Sequence, residues 1–257
     1  MAESGHHWRF NAVTGLTSGD ESRLTHDVGG ELWVRRDRLV RGAGYDTALR
    51  QSRRELARTG AILRLRRRGR YHVHASGVVS PAGRAWIFTG VTGSGKSTMA
   101  YALARRGWRV LGDDGVIVEP HAGDGGVTAY AWRDTMLVSA LLRAEFPELG
   151  DDADARAIPG DLRRRVPAPH VGVAHSGPVA AVICLDQGAP DSLTPIPAVE
   201  ALVELVRQSA WVLIPDPAAR LHLEGLRALV TRVPTFRLTH SPHQLQAIEA
   251  TLGQAGI

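Results

Sequence analysis

Residues 84–98 constrain the fold of this 257-residue chain more than any other stretch. Gly90-Val91-Thr92-Gly93-Ser94-Gly95-Lys96-Ser97-Thr98 fits G-x-x-x-x-G-K-S/T, the phosphate-loop (Walker A) pattern, with Gly90, Gly95, Lys96 and Ser97 in the defining places. Before it, Arg84-Ala85-Trp86-Ile87-Phe88-Thr89 reads as a short buried strand. After it, Ser97 to Arg106 reads as a helix with Met99, Ala100, Leu103 and Ala104 on one side. Strand, glycine loop and helix in that order demand an α/β architecture. Glycines let the loop wrap with its N–H groups inward, and the first helical turn adds unpaired N–H groups and the positive end of a dipole. Anionic phosphate oxygens are held by such a cradle without many side chains. Lys96 is placed to reach the β- and γ-phosphates, and the Ser97 hydroxyl to meet Mg²⁺, a hard cation that prefers oxygen.

Gly107 closes the helix, and Trp108-Arg109-Val110-Leu111-Gly112 forms a strand that ends in Asp113-Asp114, with Asp113 seventeen positions beyond Lys96. The strand after the first helix of an open α/β sheet presents its C-terminal end to the same crevice as the loop. Two carboxylates there can divide the work of holding a metal and accepting a proton. Upstream, Tyr71 to Val79 alternates as one strand, which would put His72 and His74 on the same face.

The rest of the chain frames this core. Residues 1 to about 45 open polar, then offer strands at Glu31–Arg35 and Arg38–Val40. Thr47 to Thr59 has helical spacing, with Gly60 as its stop. The basic run from Ile62 to Arg70 reads either as a phosphate-binding or acid-binding patch or as a solvated helix end. Val116–Glu119 and Val127–Ala131 flank a turn. Met136–Phe146 is expected helical, Pro147 to about Pro169 a long surface loop, and Val179–Asp186 a buried strand. Helices are expected at Ala198–Leu205, Leu221–Val230 and Pro242–Leu252, and a strand at Val233–Leu238. The expected organisation is a small α+β subdomain at 1–60 and a phosphate-loop domain at 61–257.

With 44% hydrophobic and 22% charged residues the composition is that of a soluble globular protein, expected in the cytoplasm. The formal net charge of +5 comes almost wholly from arginine and lacks the aromatic interleaving of a nucleic-acid surface. No apolar stretch is long enough to span a membrane. The single cysteine, Cys184, excludes an intramolecular disulfide and lies in an apolar run, as a small buried residue would. His6-His7 reads as a solvated terminal pair.

The sequence His74-Ala-Ser-Gly-Val-Val, the loop Gly90–Thr98, and Ala-Leu-Ala-Arg-Arg-Gly-Trp-Arg-Val-Leu-Gly-Asp-Asp ending at Asp114 together resemble the catalytic core of HPr kinase/phosphorylase. The resemblance is nearer to compact HPr-kinase-like proteins found beside peptide-modification genes, including kinases of lasso peptides. It covers residues 71 to about 118, more loosely 179–186 and 232–242. The Gly-Arg-Asn signature of the full HPr kinase is absent. The resemblance implies a mixed β-sheet core of the HPr kinase C-terminal domain or PEP carboxykinase-like type, with a small β-rich N-terminal subdomain. It implies ATP as donor, bound by Gly90, Thr92, Gly93, Ser94, Gly95, Lys96, Ser97 and Thr98. Asp113 would be general base, Asp114 would hold Mg²⁺ with Ser97, and His74 would tune the proton balance. An arginine from Arg163-Arg164-Arg165, or Arg237, would add charge stabilisation. The expected activity is phosphoryl transfer to a hydroxyl of a peptide or small molecule, with homo-oligomerisation left open. The alternative is a regulatory nucleotide-binding switch.

Overall fold

The computed structural model describes residues 5–123, 125–132, 135–149, 156–158, 161–167, 171–188, 192–216 and 218–240. The expected helix at Pro242–Leu252 lies outside them. The chain is α/β and divides into two compact units, Met1–His72 with Ser209–Leu226, and Val73–Gln208 with Arg227–Ile257. The first unit therefore takes in residues 61–72 and a returning segment, beyond the expected boundary at residue 60.

In the first unit β1 (His6–Phe10), β2 (Val13–Ser18), β3 (Glu21–His26), β4 (Glu31–Arg35) and β5 (Arg38–Arg41) form an antiparallel meander. Three of these strands fall in the stretch that reads as a polar opening. Their inward positions are every second residue, as in β2, where Val13, Gly15 and Thr17 are buried and the residues between are not. Helix α1 (Arg50–Arg66) packs on β3, β4 and β5 and runs straight through Gly60, which does not end it. A Cβ on Gly60 would lie 2.8 Å from Leu32 Cδ2, so the glycine admits the sheet rather than stopping the helix. Nor is the basic run a solvated patch throughout. Arg66 is fully buried, pairs with Asp216 at 3.3 Å and donates to the Trp211 carbonyl at 2.8 Å.

The expected continuous strand at 71–79 is two, β6 (Tyr71–Val73) and β7 (Ser76–Val79), broken by a bend at His74-Ala75. His72 and His74 therefore do not share a face. His72 is buried edge-on to Trp211 in the first unit, while His74 belongs to the second.

The second unit continues with β8 (Ala85–Thr89), α2 (Lys96–Ala104), β9 (Arg109–Gly112), β10 (Val116–Pro120), β11 (Val127–Ala131), β12 (Thr135–Val138) and α3 (Ala140–Glu145). Then come β13 (Arg156–Ile158), β14 (Asp161–Pro167), β15 (Gly172–Val173), β16 (Ser176–Gln187), β17 (Ser192–Pro195) and α4 (Ala198–Gln208). Helix α5 (Ala219–Arg232) and β18 (Thr235–His240) complete the chain described. The order across the main sheet is β15-β9-β7-β8-β16-β11-β10, with β18 also on β16 and β17 on β18. All five β8 residues are buried, and Trp86 and Phe88 join Met99 and Leu103 of α2 in one apolar cluster with Ile183, Leu185 and Leu238. Burying each such side chain is worth about 1.5–3 kcal/mol, which seats α2 against the sheet. Trp86 and Trp108 meet edge to face, with centroids 5.6 Å apart.

Two expectations between residues 136 and 169 are corrected. Met136–Val138 belongs to strand β12, and the helix begins only at Ala140, capped by the Ser139 hydroxyl accepting from Leu142 N. The expected loop carries β13 and β14, which pair antiparallel with each other, β14 pairing also with β12. Arg163, Arg164 and Arg165 are thus strand residues.

Candidate active site

β7 runs antiparallel to both β8 and β9, while β16 runs parallel to β8 on one side and β18 on the other. β8, β9, β16 and β18 consequently share one direction, although β7 separates β8 from β9. Their C-terminal ends deliver Gly90, Asp113, Gln187 and His240 to one edge of the sheet, the edge at which open α/β sheets bind ligands. A cavity of about 430 Å³ opens there.

Thr92, Gly93, Gly95, Lys96, Ser97 and Thr98 line this cavity together with His74, Asp113 and Asp114. Gly90 and Ser94, also expected at the site, sit behind the lining. Gly90 is at φ 147°, and a Cβ on it would lie 2.7 Å from Ser94 Oγ and 2.8 Å from the Leu185 carbonyl. The loop glycines are required by backbone geometry: Gly93 and Gly95 adopt φ 89° and 94°, in the region that other residues avoid. Lys96 Nζ donates to the Gly90 and Val91 carbonyls at 2.7 and 3.0 Å, which holds the ammonium over the loop.

The two aspartates have different surroundings. The Asp113 carboxylate is buried and accepts three hydrogen bonds: Ser76 Oγ at 2.5 Å and Ser97 Oγ at 2.9 Å on Oδ1, and Leu137 N at 2.7 Å on Oδ2. Asp114 is at φ 65°, so the backbone turns over between the two residues. Its Oδ1 lies 3.5 Å from His74 Nδ1. The bend at His74-Ala75 is what brings the imidazole to this position.

Ser97 Oγ beside Asp113 gives an oxygen donor set suited to a hard cation. Among the described residues no group of three or more His, Cys, Asp and Glu side chains is disposed to hold a metal, and the oxygens at this site are those of Ser97 and Asp113. Mg²⁺, which retains several waters and takes phosphate oxygens, fits such a site.

Arg237 is not brought to the cavity. It is tied to Glu200 at 2.6 Å and to Asp186, and the hydrogen bond it donates to Glu200 raises its pKa despite partial burial. Cys184 is buried, and burial pushes its thiol up to about 12, which leaves it inert.

Ser76, Gln187 and His240 are at the site and carried no role in the sequence reading. Ser76 lies in the quoted His74–Val79 stretch. Gln187 and His240 each end a strand whose direction no motif announces. Gln187 Nε2 donates to the Gly93 carbonyl at 2.7 Å, and His240 Nε2 to the Ser94 carbonyl at 2.9 Å.

Among the described residues no helix is long and apolar enough to cross a membrane. No protein-family model matches the chain. No curated protein matches it either. Among solved structures it is similar to the HPr(Ser) kinase/phosphatase from Coxiella burnetii, with 13% sequence identity and a TM-score of 0.39 over 72% of this chain and 95% of that one.

Proposed function

We propose that the chain is an ATP- and Mg²⁺-dependent kinase that transfers the γ-phosphoryl group to a Ser- or Thr-type hydroxyl of a peptide, such as a ribosomally made, lasso-type peptide. One observation carries this reading: the glycine loop, Lys96, the Ser97–Asp113 pair and the Asp114–His74 pair all face a single cavity. An acyl- or hydride-transfer site has no use for that combination. A hydroxyl kinase uses a phosphate cradle, a cation site and a carboxylate base.

The hydrogen bonds favour a division of labour opposite to the one implied by resemblance. Asp113 already accepts from three donors, one of them the Ser97 hydroxyl, so it fits the place beside the cation. Asp114 borders the cavity with His74 alongside, and fits the group that takes the acceptor's proton. The acceptor oxygen forms a bond to the γ-phosphorus as the bond to the bridging oxygen of ADP breaks, and the hydroxyl proton passes to the Asp114 carboxylate. Lys96 and the first-turn amides of α2 counter charge on the phosphate oxygens. Mg²⁺, when bound, supplies further neutralisation of the same oxygens.

The test pairs γ-labelled ATP and Mg²⁺ with peptides encoded beside the gene, using wild type, Asp114→Asn and Asp113→Asn. Asp114→Asn is expected to keep Mg·ATP binding and to lose transfer by about 10²–10⁴-fold. Asp113→Asn is expected to weaken Mg²⁺-dependent binding itself. The converse pattern would return the base to Asp113. Hydrolysis without transfer, equal in all three proteins, would leave a nucleotide switch as the reading.

A further inference from the structure

The carbonyl oxygens of the glycine loop are held from outside the loop as well as from within it. Lys96 takes those of Gly90 and Val91, whereas Gly93 and Ser94 are taken by Gln187 and His240, more than ninety residues away in the chain. Gln187 and His240 are register partners at the ends of the parallel strands β16 and β18, and Gly188 N donates to the His240 carbonyl at 3.1 Å. The two side-chain donors therefore stand side by side, spaced as adjacent carbonyls require.

In a trans peptide the C=O and the following N–H point in opposite directions. With its carbonyl held by His240, Ser94 turns the Gly95 N–H away from the imidazole. With its carbonyl held by Gln187, Gly93 fixes the peptide plane whose N–H, on Ser94, closes the turn to the Val91 carbonyl at 3.1 Å. The imidazole also presses on Gly95, where a Cβ would lie 2.9 Å from His240 Cε1.

His240 is 3% exposed; its Nε2 donates to the Ser94 carbonyl, and its buried Nδ1 has no hydrogen-bond partner among the described residues. Such a group is destabilising, and it is tolerated here where its other nitrogen shapes the loop.

We infer that Gln187 and His240 are positioning residues that set the glycine loop for polyphosphate binding, by fixing two successive peptide planes from the ends of two strands. The inference rests on the nucleotide-binding reading above. Amides aimed at the phosphates contact the bound substrate and the transition state alike, so loosening them raises KM for the nucleotide and leaves kcat nearly unchanged.

Calorimetric binding of Mg·ATP and of Mg·pyrophosphate tests it on wild type, Gln187→Met, His240→Met, the double variant and His240→Gln, each with a ligand-free thermal melt. Each methionine variant is expected to bind both ligands about tenfold more weakly, the loss of one hydrogen bond. The double variant is expected to lose less than the product, because the two donors brace one short loop. His240→Gln, whose amide nitrogen reaches where Nε2 stood, is expected to recover most of the affinity. Folded methionine variants that bind pyrophosphate as wild type does would overturn the inference, and so would a His240→Gln variant as weak as His240→Met. Should His240→Met not fold, the exposed Gln187→Met decides alone. Wild type that binds neither ligand would defeat the nucleotide reading, and this inference with it.

Discussion

Asp113 and Asp114 are neighbours in the chain and yet occupy different chemical positions, because the φ of 65° at Asp114 turns the backbone between them. A doublet of carboxylates at a strand end is visible in the residue string, whereas the turn that separates them depends on local packing. Gly112 admits it, since a Cβ there would lie 2.4 Å from the Gly115 carbonyl. Buried histidines are equally silent in sequence. His222 is fully buried and donates from Nε2 to the His72 carbonyl at 3.0 Å, and burial pushes its pKa from 6.5 down to about 4. The unfolded chain takes up this proton below pH 6.5, whereas the folded chain resists until about pH 4. Stability is thus whole above pH 6.5 and declines as the pH falls through that window, by roughly 3 kcal/mol in all. Urea denaturation from pH 7.5 to 4 is expected to give a smaller slope with pH for His222→Gln, which keeps a donor for the His72 carbonyl and does not titrate. Identical slopes would show that His222 is not the group responsible.

At the scale of the element, α1 shows how a residue with one local meaning can take another in context. Gly60 followed by a basic run reads as a helix stop, since glycine costs about 1 kcal/mol inside a helix. The helix instead continues to Arg66, with Leu56, Ile62 and Leu63 buried and Leu32, Leu39 and Val34 crowding the place of a Gly60 Cβ at 2.8, 3.0 and 3.5 Å. Close approach to the sheet outweighs the propensity penalty. Gly60→Val is expected to destabilise by about 1–3 kcal/mol through overpacking, even though valine is the better helix former. Denaturant titration checks this, and a variant at least as stable as wild type would mean that the helix can lift from β4 without loss. Strands β12, β13 and β14 were hidden for a related reason. Met136–Val138 suggests the start of a helix, and the Asp, Arg, Gly and Pro that follow suggest a loop, whereas the antiparallel pairing of these strands rests on partners up to some thirty residues distant.

Across the whole molecule, the first unit is completed by a segment that returns after residue 208. Asp216 lies in that segment, with no side-chain exposure, between Arg66 at 3.3 Å and Arg67 at 2.8 Å. Burial lowers the Arg66 pKa, with Asp216 opposing the shift. Removing the carboxylate leaves two guanidinium groups without their anion, so Asp216→Ala is expected to cost about 3–5 kcal/mol. Thermal and chemical denaturation would report it, and a cost below about 1 kcal/mol would show that the cluster does not hold the segment in place. Local pattern was enough for the elements nearest the site: β8, the glycine loop, α2, β9 and the carboxylate pair follow from hydrophobic runs, glycine positions and a strand end, all of which act over a few residues. The common direction of β8, β9, β16 and β18 was decided only by tertiary structure. So were the insertion of β7 between two of them, the bend that frees His74 from the strand, and the meeting of Gln187 and His240 beneath the loop. Strand order, register and the burial of a charged cluster depend on contacts between residues tens to more than a hundred positions apart. Hydrogen bonding and packing across such separations leave no periodic trace in the chain.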